Sequence, residues 1–449
     1  MSVRLTAQRI RAMRVKVIGA GLAGCEAAVQ LARRGIEVEL CEMKPTKLSP
    51  AHKYGGFAEL VCSNSLKAMR VESACGLLKE EMRRLGSVIV AAAEKTAVPA
   101  GGALAVNREE FSNEVTRIVK SYPNITVIEG EVTELPQSNA VICTGPLTSD
   151  ALAESLRRVC GEGLSFYDAA APIVTAQSID FSKAFFQTRY DKGEADYVNC
   201  PMSREEYDRF YEELIHAESA PLHGFDRAEE SAGMRVYEGC MPVEVLAKRG
   251  KDSVRYGCMK PVGLTDPRTG QRPYAAVQLR KENREGTMYN LVGFQTNLKF
   301  GEQKRVFSLI TGLENAEFVR YGVMHRNTFI DSPRLLDRHF MLRGSDNVFF
   351  GGQITGVEGY VESAASGIAA GRALADRLQG KTPVTFPPTT MLGALSAYIC
   401  DPSVTNFQPM GSSMGILPPL GVKIKGKQEK YAAYARRALE DFDRALSER

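Results

Sequence analysis

Long apolar runs are missing from this 449-residue sequence. Nothing approaches the ~20 consecutive apolar residues of a helical membrane span, so an integral helical membrane protein is excluded. The stretch from Met1 to Ala12 is basic and lacks the apolar core of a secretory signal, so export is not expected. The first strand pattern begins only after Met13, and residues 1–12 are read as an extension, either a tag remnant or a misassigned start. Ten cysteines are present but no two form a CxxC pair. That argues against a zinc site and against a disulfide framework, and it points to reduced thiols in the cytoplasm. Charge of one sign is also scarce: 57 Lys and Arg against 53 Asp and Glu leave +4. This balance neither proves nor excludes a nucleic-acid partner. There is no internal repeat and no low-complexity segment. The length suits about two or three domains with substantial cores.

What is present begins with Val15-Lys16-Val17-Ile18-Gly19-Ala20-Gly21-Leu22-Ala23-Gly24. An apolar run at strand period meets three glycines and becomes a small-residue helix, read from Leu22 to about Arg34 with Gly35 at its end. Gly19 permits the turn, Gly21 lets the backbone approach a pyrophosphate, and Gly24 lets helix and strand pack closely. The free amides and positive dipole of the helix N-terminus then face the phosphates. A glycine triplet alone is weak; here strand, turn and helix surround it. Val38 to Glu42 makes the next strand, and Glu42 stands 23 positions after Gly19, near the spacing of a carboxylate that accepts ribose hydroxyls. A carboxylate there repels a 2′-phosphate, which favours FAD or NAD over NADP at this site.

A second pass follows later. The strand Ala140 to Cys143 ends in Thr144-Gly145-Pro146, a place where a small residue keeps the backbone close to a cofactor. Near the end, Asn347 to Phe350 breaks at Gly351-Gly352-Gln353 and gives way to an Ala- and Gly-rich helix, Val361 to Leu378. Two glycine-hinged passes favour FAD over NAD as the bound cofactor. Between them, from about Phe166 to Val323, alternation, Tyr, Pro and short strands dominate. The expected fold is therefore α/β: a Rossmann-like FAD-binding domain of the two-dinucleotide-binding flavoprotein type, built from 13–165 and 324–435. Residues 166–323 form an inserted α+β, mostly β, substrate domain.

Two cysteines stand in unusual surroundings. Cys62 is followed by Ser63-Asn64-Ser65, residues expected to open a helix whose dipole lowers the thiol pKa. Cys240 lies in a Gly-Cys-Met-Pro turn with acids on both sides. Cys25, Cys41 and Cys143 fall in the cofactor-binding helix and strands and read as small buried hydrophobes. His325 is followed by Arg326, a cation suited to an acidic ligand; His52 and Lys53 are further candidates on weaker grounds. Lys423, Lys425, Lys427, Lys430, Arg436 and Arg437 crowd the C-terminal segment. They read either as a solvated helix face or as a phosphate-contacting patch.

The stretches GAGLAGCEAA (19–28), AELVCSNSL (58–66), PAGGALAVNREEF (99–111), ADYVNCPM (195–202), GCMPVE (239–244), MKPVGLTDPRTG (259–270), LVGFQTNLK (291–299), RYGVMHRNT (320–328) and GGQITGVEGYVESAASG (351–367) resemble one family across residues 13–435. It is the folate- and FAD-dependent tRNA (uracil-5-)-methyltransferases of bacteria, the TrmFO family. The resemblance implies transfer of the one-carbon unit of 5,10-methylenetetrahydrofolate to C5 of uridine 54 in the tRNA T-loop, with NAD(P)H as reductant. It implies that the flavin relays the one-carbon unit and the electrons, that Cys240 attacks uracil C6, and that Cys62 is a second essential cysteine on the flavin side. His325 and Arg326 are the expected folate contacts. FAD is expected against Gly19, Ala20, Gly21, Leu22, Ala23, Gly24, Glu42, Thr144, Gly145, Gly352 and Gln353. Many FAD enzymes carry Asp where Gln353 stands, so this position departs from the common pattern. Lys423, Lys425, Lys427, Arg436 and Arg437 are expected on the tRNA backbone. Two alternatives use the same cofactor. One is the sister MnmG family, which modifies the wobble uridine; the other is an FAD-dependent NAD(P)H oxidoreductase with no RNA substrate.

Overall fold

A computed structural model of the chain describes residues 14–44, 46–49, 51–161, 164–169, 171–191, 194–220, 241–283, 285–322, 324–404 and 407–448, with the backbone alone in 164–169, 191 and 324–328. The extension at 1–12 lies outside the described residues. Strand β1 (Arg14–Ile18) alternates exposed and buried side chains and runs through the glycine turn into helix α1 (Leu22–Ala32) and strand β2 (Glu37–Glu42). A long connection leads to β3 (Ser65–Ala68), helices α2 (Ala74–Arg84) and α3 (Val88–Lys95), and strands β4 (Ala97–Val98) and β5 (Ala103–Val106). Helix α4 (Arg108–Lys120) returns the chain to β6 (Ile125–Glu129) and β7 (Ser138–Ile142), and α5 (Asp150–Cys160) follows.

Strand β8 (Leu164–Ala169) then opens a second, antiparallel region. It contains β9 (Ile173–Thr175), β10 (Phe185–Phe186), β11 (Tyr197–Met202), helices α6 (Arg204–His216) and α7 (Val243–Lys248), β12 (Ala275–Lys281), β13 (Met288–Leu291), helix α8 (Phe300–Phe307) and β14 (Phe318–Arg320). Strand β15 (Met324–Phe329) pairs antiparallel with β8, so the chain goes into and out of this region through one ladder. Strand β16 (Asp346–Phe350) and helices α9 (Tyr360–Leu378), α10 (Met391–Ile399) and α11 (Lys427–Ser447) complete the first region.

The first sheet is parallel, in the order β16-β7-β1-β2-β6. Val17 in the central β1 faces Leu40 on one side and Val141 on the other. The second sheet has the order β10-β11-β12-β13-β9-β14, and its strands pair antiparallel. Each sheet organises its own apolar cluster. Val15, Val17, Leu40, Val141 and Phe349 lie in one; Val198, Phe210, Val277, Leu279 and Phe294 lie in the other. Full burial of such a side chain is worth about 1.5–3 kcal/mol.

Small residues decide how the parallel sheet is covered. Helix α1 is buried along its whole length and lies against α9. A Cβ on Gly367 of α9 would sit 2.2 Å from the Ala23 carbonyl oxygen, and one on Gly371 would sit 2.7 Å from Ala27 Cα. Two buried acidic side chains cap the helices packed around this sheet. Glu26 of α1 accepts from Ser87 Oγ and from the Ile89 amide at 3.0 Å, at the start of α3. Glu81 of α2 accepts from the Met391 and Leu392 amides at 2.7 and 2.8 Å, at the start of α10. Burial pushes Glu26 up to about 7 and Glu81 up to about 8.

Candidate functional site

At the carboxyl ends of β1, β2, β7 and β16 the parallel sheet opens into a cleft. This is where the strand order reverses around β1, the usual ligand crevice of an open α/β sheet. Gly19, Gly21, Leu22, Ala23, Glu42, Thr144, Gly145, Gly352 and Gln353 all line it. The three glycines have distinct physical causes. Gly19 has φ +96°, and a Cβ there would lie 2.5 Å from the Cys143 carbonyl oxygen. A Cβ on Gly24 would lie 1.8 Å from the Gly19 oxygen, so this glycine closes the helix onto the turn rather than facing the cleft. A Cβ on Gly21 would meet no protein atom within 4 Å. That open space lies at the N-terminus of α1, which has no side-chain cap and no acid in its first turn. Uncapped amides beside open space fit a pyrophosphate.

Glu42, 7% exposed, accepts from the Ala20 amide at 2.7 Å through one oxygen and from the Lys44 amide at 3.0 Å through the other. Ala20 itself does not line the cleft; its amide orients the acid that does. A carboxylate has about four lone-pair sites, so acceptor capacity remains for two hydroxyls. Lys44 and Glu59 form a partly buried pair at 3.9 Å in the same wall, and Lys44 also donates to the Gly56 carbonyl at 2.7 Å. On the opposite side Thr144 Oγ1 lies 2.6 Å from Thr148 Oγ1, and Gly145 has φ +67° with nothing near its missing Cβ. The amide nitrogen of Gln353 donates to Glu358 at 2.9 Å, which leaves its carbonyl oxygen as an acceptor. His52 lines the cleft with Nδ1 2.6 Å from Ser49 Oγ.

Cys62 sits just behind this wall. Its neighbour Val61 and the ring of Tyr360 line the cleft, and Cys62 itself is half-buried. The helix expected to open at Ser63 is absent: residues 61–64 form a loop that passes directly into β3, and the next helix starts at Ala74. The reason is a set of side-chain partners that the sequence does not announce. Asn64 donates to the Val106 and Lys281 carbonyls at 3.0 Å each, and the Tyr360 hydroxyl accepts from the Cys62 and Ser63 amides at 2.7 and 3.1 Å. Arg108 donates to the Leu60 carbonyl at 2.6 Å and pairs with buried Glu282 at 2.8 Å. The Cys62 loop is thus fixed by partners from β5, the antiparallel sheet and helices α4 and α9, not by a helix dipole. Burial holds the Tyr360 phenol well above its ordinary range, with the nearby Cys62 adding to the effect.

Several expected residues fall elsewhere. Cys240 lies outside the described residues. His325 and Arg326 are on β15, in register with Asp168 and Tyr167, and their side chains lie outside the described residues. Lys423 and Lys425 are exposed in the segment before α11, and Lys427, Lys430 and Arg436 are exposed on that helix. Arg437 is committed inward: it donates to the Pro418 and Pro419 carbonyls at 2.6 and 2.8 Å and lies 5.2 Å from the Tyr434 ring centroid. Tyr360, Lys44 and Glu59 are not singled out by the sequence: Tyr360 and Glu59 lie within the quoted stretches, but their roles depend on partners far along the chain. Desolvation raises the remaining described thiols above their ordinary range. Cys25, Cys143 and Cys200 are held well above the ordinary thiol range, Cys160 is pushed up to about 11, and Cys258 and Cys400 to about 12. Among the described residues no group of His, Cys, Asp and Glu could hold a metal ion, and no helix is long and apolar enough to cross a membrane.

The fold and the cleft together define a dinucleotide-binding α/β protein of the GidA type. Residues 14–382 match the family described as glucose inhibited division protein A. A solved structure titled "Structure of Aquifex aeolicus GidA in the form II crystal" superposes with a TM-score of 0.68 at 16% identity, covering 96% of this chain and 73% of that one, which speaks for the fold alone. Two curated relatives are far closer in sequence. One, from Heliobacterium modesticaldum, is 59% identical over 97% of this chain and 98% of its own length. The other, from Bacillus licheniformis, is 58% identical over 95% and 97%. Both are named methylenetetrahydrofolate--tRNA-(uracil-5-)-methyltransferase TrmFO. The chain belongs to the GidA family and, within it, to the TrmFO methyltransferases.

Proposed function

We propose that the chain transfers the one-carbon unit of 5,10-methylenetetrahydrofolate to C5 of uridine 54 in the tRNA T-loop, with FAD held in the cleft, NAD(P)H as reductant, and the cytoplasm as its setting. The observation that carries this reading is the 59% identity, over nearly the full length of both chains, to a relative of that name. The cleft supplies a physical fit. Gly21 and the uncapped start of α1 suit the pyrophosphate of FAD, Glu42 the ribose, and Thr144, Gly145, Gly352 and Gln353 the remainder of the cofactor. When bound, FAD supplies redox and one-carbon chemistry that no side chain possesses.

The protein's part is nucleophilic activation and positioning. Uracil C5 is a weak nucleophile until a thiolate adds at C6. We assign that thiolate to Cys240: the sulfur–C6 bond forms, the C5=C6 electron pair moves onto C5 and O4, and C5 then bonds to the one-carbon unit. Loss of the C5 proton, cleavage of the bond between the one-carbon unit and its carrier, and delivery of a hydride equivalent drawn from NAD(P)H would give the methyl group. Expulsion of the sulfur restores the C5=C6 double bond. The described residues after Cys240 are well held: the Val243 amide donates to the Gln295 carbonyl at 2.7 Å, and buried Glu244 accepts from Thr296 Oγ1 and the Asn297 amide at 2.8 Å each. Cys62 is assigned to the flavin side, as an acid/base or as a guard of the reactive centre. His325 and Arg326 are assigned to folate. Lys423, Lys425, Lys427 and Arg436 are assigned to the RNA backbone.

A tRNA carrying 5-fluorouridine at the target tests the assignment, because fluorine at C5 blocks release of the sulfur. The wild-type protein is expected to form a covalent complex that survives denaturation, and Cys240→Ser to form none. A complex that persists in Cys240→Ser removes Cys240 from the role.

A further inference from the structure

Two guanidinium groups, one buried and one half-buried, lie where the antiparallel sheet meets the Cys62 loop, without an ion-pair partner among the described residues. Arg280 of β12 is 6% exposed and donates Nε to Asn64 Oδ1 at 2.9 Å and Nη2 to Ser63 Oγ at 2.8 Å. Arg320 of β14 is half-buried and donates Nη2 to the Val61 carbonyl at 2.7 Å. Its Nε is buried and has no hydrogen-bond partner among the described residues. All of these acceptors are neutral, and neither arginine forms an ion pair among the described residues.

The neighbouring acids are already engaged. Glu282 is held by Arg108 through both of its oxygens, at 2.8 and 3.3 Å. Glu59 accepts from the Lys53 and Tyr54 amides at 3.0 and 3.1 Å and faces Lys44. Three arginines therefore meet one free-standing acid around the Cys62 loop, and Arg108 uses it. Burial and, after it, repulsion from Arg108 pull the Arg320 guanidinium below its usual range. Holding the loop does not require this cost, since Asn or Gln would satisfy the same carbonyl and hydroxyl groups. Buried charges are normally paired or bind a ligand. The cations stand behind Val61, which lines the cleft.

We propose that Arg280 and Arg320 form an oxyanion-binding site for a phosphate or carboxylate group of a substrate. It rests on the functional reading above, which offers two sources of that chemistry: a phosphodiester of the tRNA, or the carboxylate tail of the folate. Guanidinium groups match both by paired N–H donors. Arg320 is the outer of the two and makes the first contact; Arg280, deeper, keeps the loop and the field in place.

The test uses FAD-loaded wild type, Arg320→Met, Arg320→Lys and Arg280→Met. Flavin absorbance shows that each variant keeps its cofactor. Unmodified tRNA is titrated at several salt concentrations, and tetrahydrofolate is compared with its analogue lacking the glutamyl tail. If the ligand is a phosphodiester, Arg320→Met weakens tRNA binding about tenfold and lowers the log–log salt slope by about one, and Arg320→Lys restores most of the slope. If it is the folate tail, Arg320→Met weakens tetrahydrofolate about tenfold and leaves the tail-less analogue unchanged. Either result supports the site. Changes below about twofold in both titrations, with flavin retained, overturn it. Should Arg280→Met fail to fold, the Arg320 variants carry the test. Should wild type bind neither tRNA nor folate, the functional reading fails by itself. Inorganic phosphate then probes the site, and phosphate binding unchanged in Arg320→Met, or absent in wild type, overturns it.

Discussion

At the residue scale the thiols differ in where the chain puts them. Cys25, Cys143 and Cys200 are buried and held protonated, whereas Cys62 is half-buried behind the cleft wall. Cys62→Ala is therefore expected to abolish methyl transfer while FAD binding persists; normal methyl transfer in that variant would refute any chemical role. The glycines make a sharper contrast. Gly21 has φ −75° and open space around its missing Cβ, so Gly21→Ala is expected to change folding stability by less than about 0.5 kcal/mol. Its methyl occupies the cleft, so FAD affinity falls instead. Gly24→Ala drives a Cβ into the Gly19 oxygen and is expected to lower the melting temperature as well as FAD content. Thermal melts of the apo-proteins and FAD titrations separate the two. Glu42→Ala removes the acceptor of the Ala20 amide and, on the proposed reading, that of the ribose; a fully yellow purified variant with unaltered FAD affinity would count against a ribose contact.

At the scale of elements, helices are locked together by buried carboxylates as well as by apolar contact. Glu81 caps α10 and is pushed up to about 8, with desolvation the largest cause. An ordinary Glu titrates near 4.5, so between about pH 4.5 and 8 the folded state holds one proton more than the unfolded chain. This contribution is fully present below about 4.5 and is lost as the pH rises towards 8, with a slope of at most about 1.4 kcal/mol per pH unit. Glu81→Gln is expected to flatten that part of the stability profile, measured by denaturant unfolding at several pH values; an unchanged slope would contradict the assignment. The main elements were legible in the sequence because β1, β2, α1, β16 and α9 each carry a strong period bounded by glycine. The Cys62 loop was not. Ser63-Asn64-Ser65 has the composition of a helix start, and only the distant partners Val106, Lys281 and Tyr360 decide against it.

At the scale of the whole molecule, a parallel sheet builds the cofactor cleft and an antiparallel sheet supplies Arg280 and Arg320 to the loop beside it. The cleft was readable from the sequence since its glycines are local signals. The arginine cluster was not, since Arg108, Arg280 and Arg320 are far apart in the chain and meet only when α4 and the antiparallel sheet close on the Cys62 loop. The exposed cations before and on α11 belong to the same scale. Replacing Lys423, Lys425 and Lys427 by Gln is expected to lower the salt slope of tRNA binding by about three without altering FAD content; an unchanged slope would return them to the status of a solvated face. The central claim is transfer of a folate-derived carbon to the T-loop. Turnover with labelled methylenetetrahydrofolate, NADH and an unmodified tRNA transcript tests it most directly. The account predicts label at C5 of uridine 54; label at the wobble base, or NADH oxidation with no label in the RNA, would contradict it.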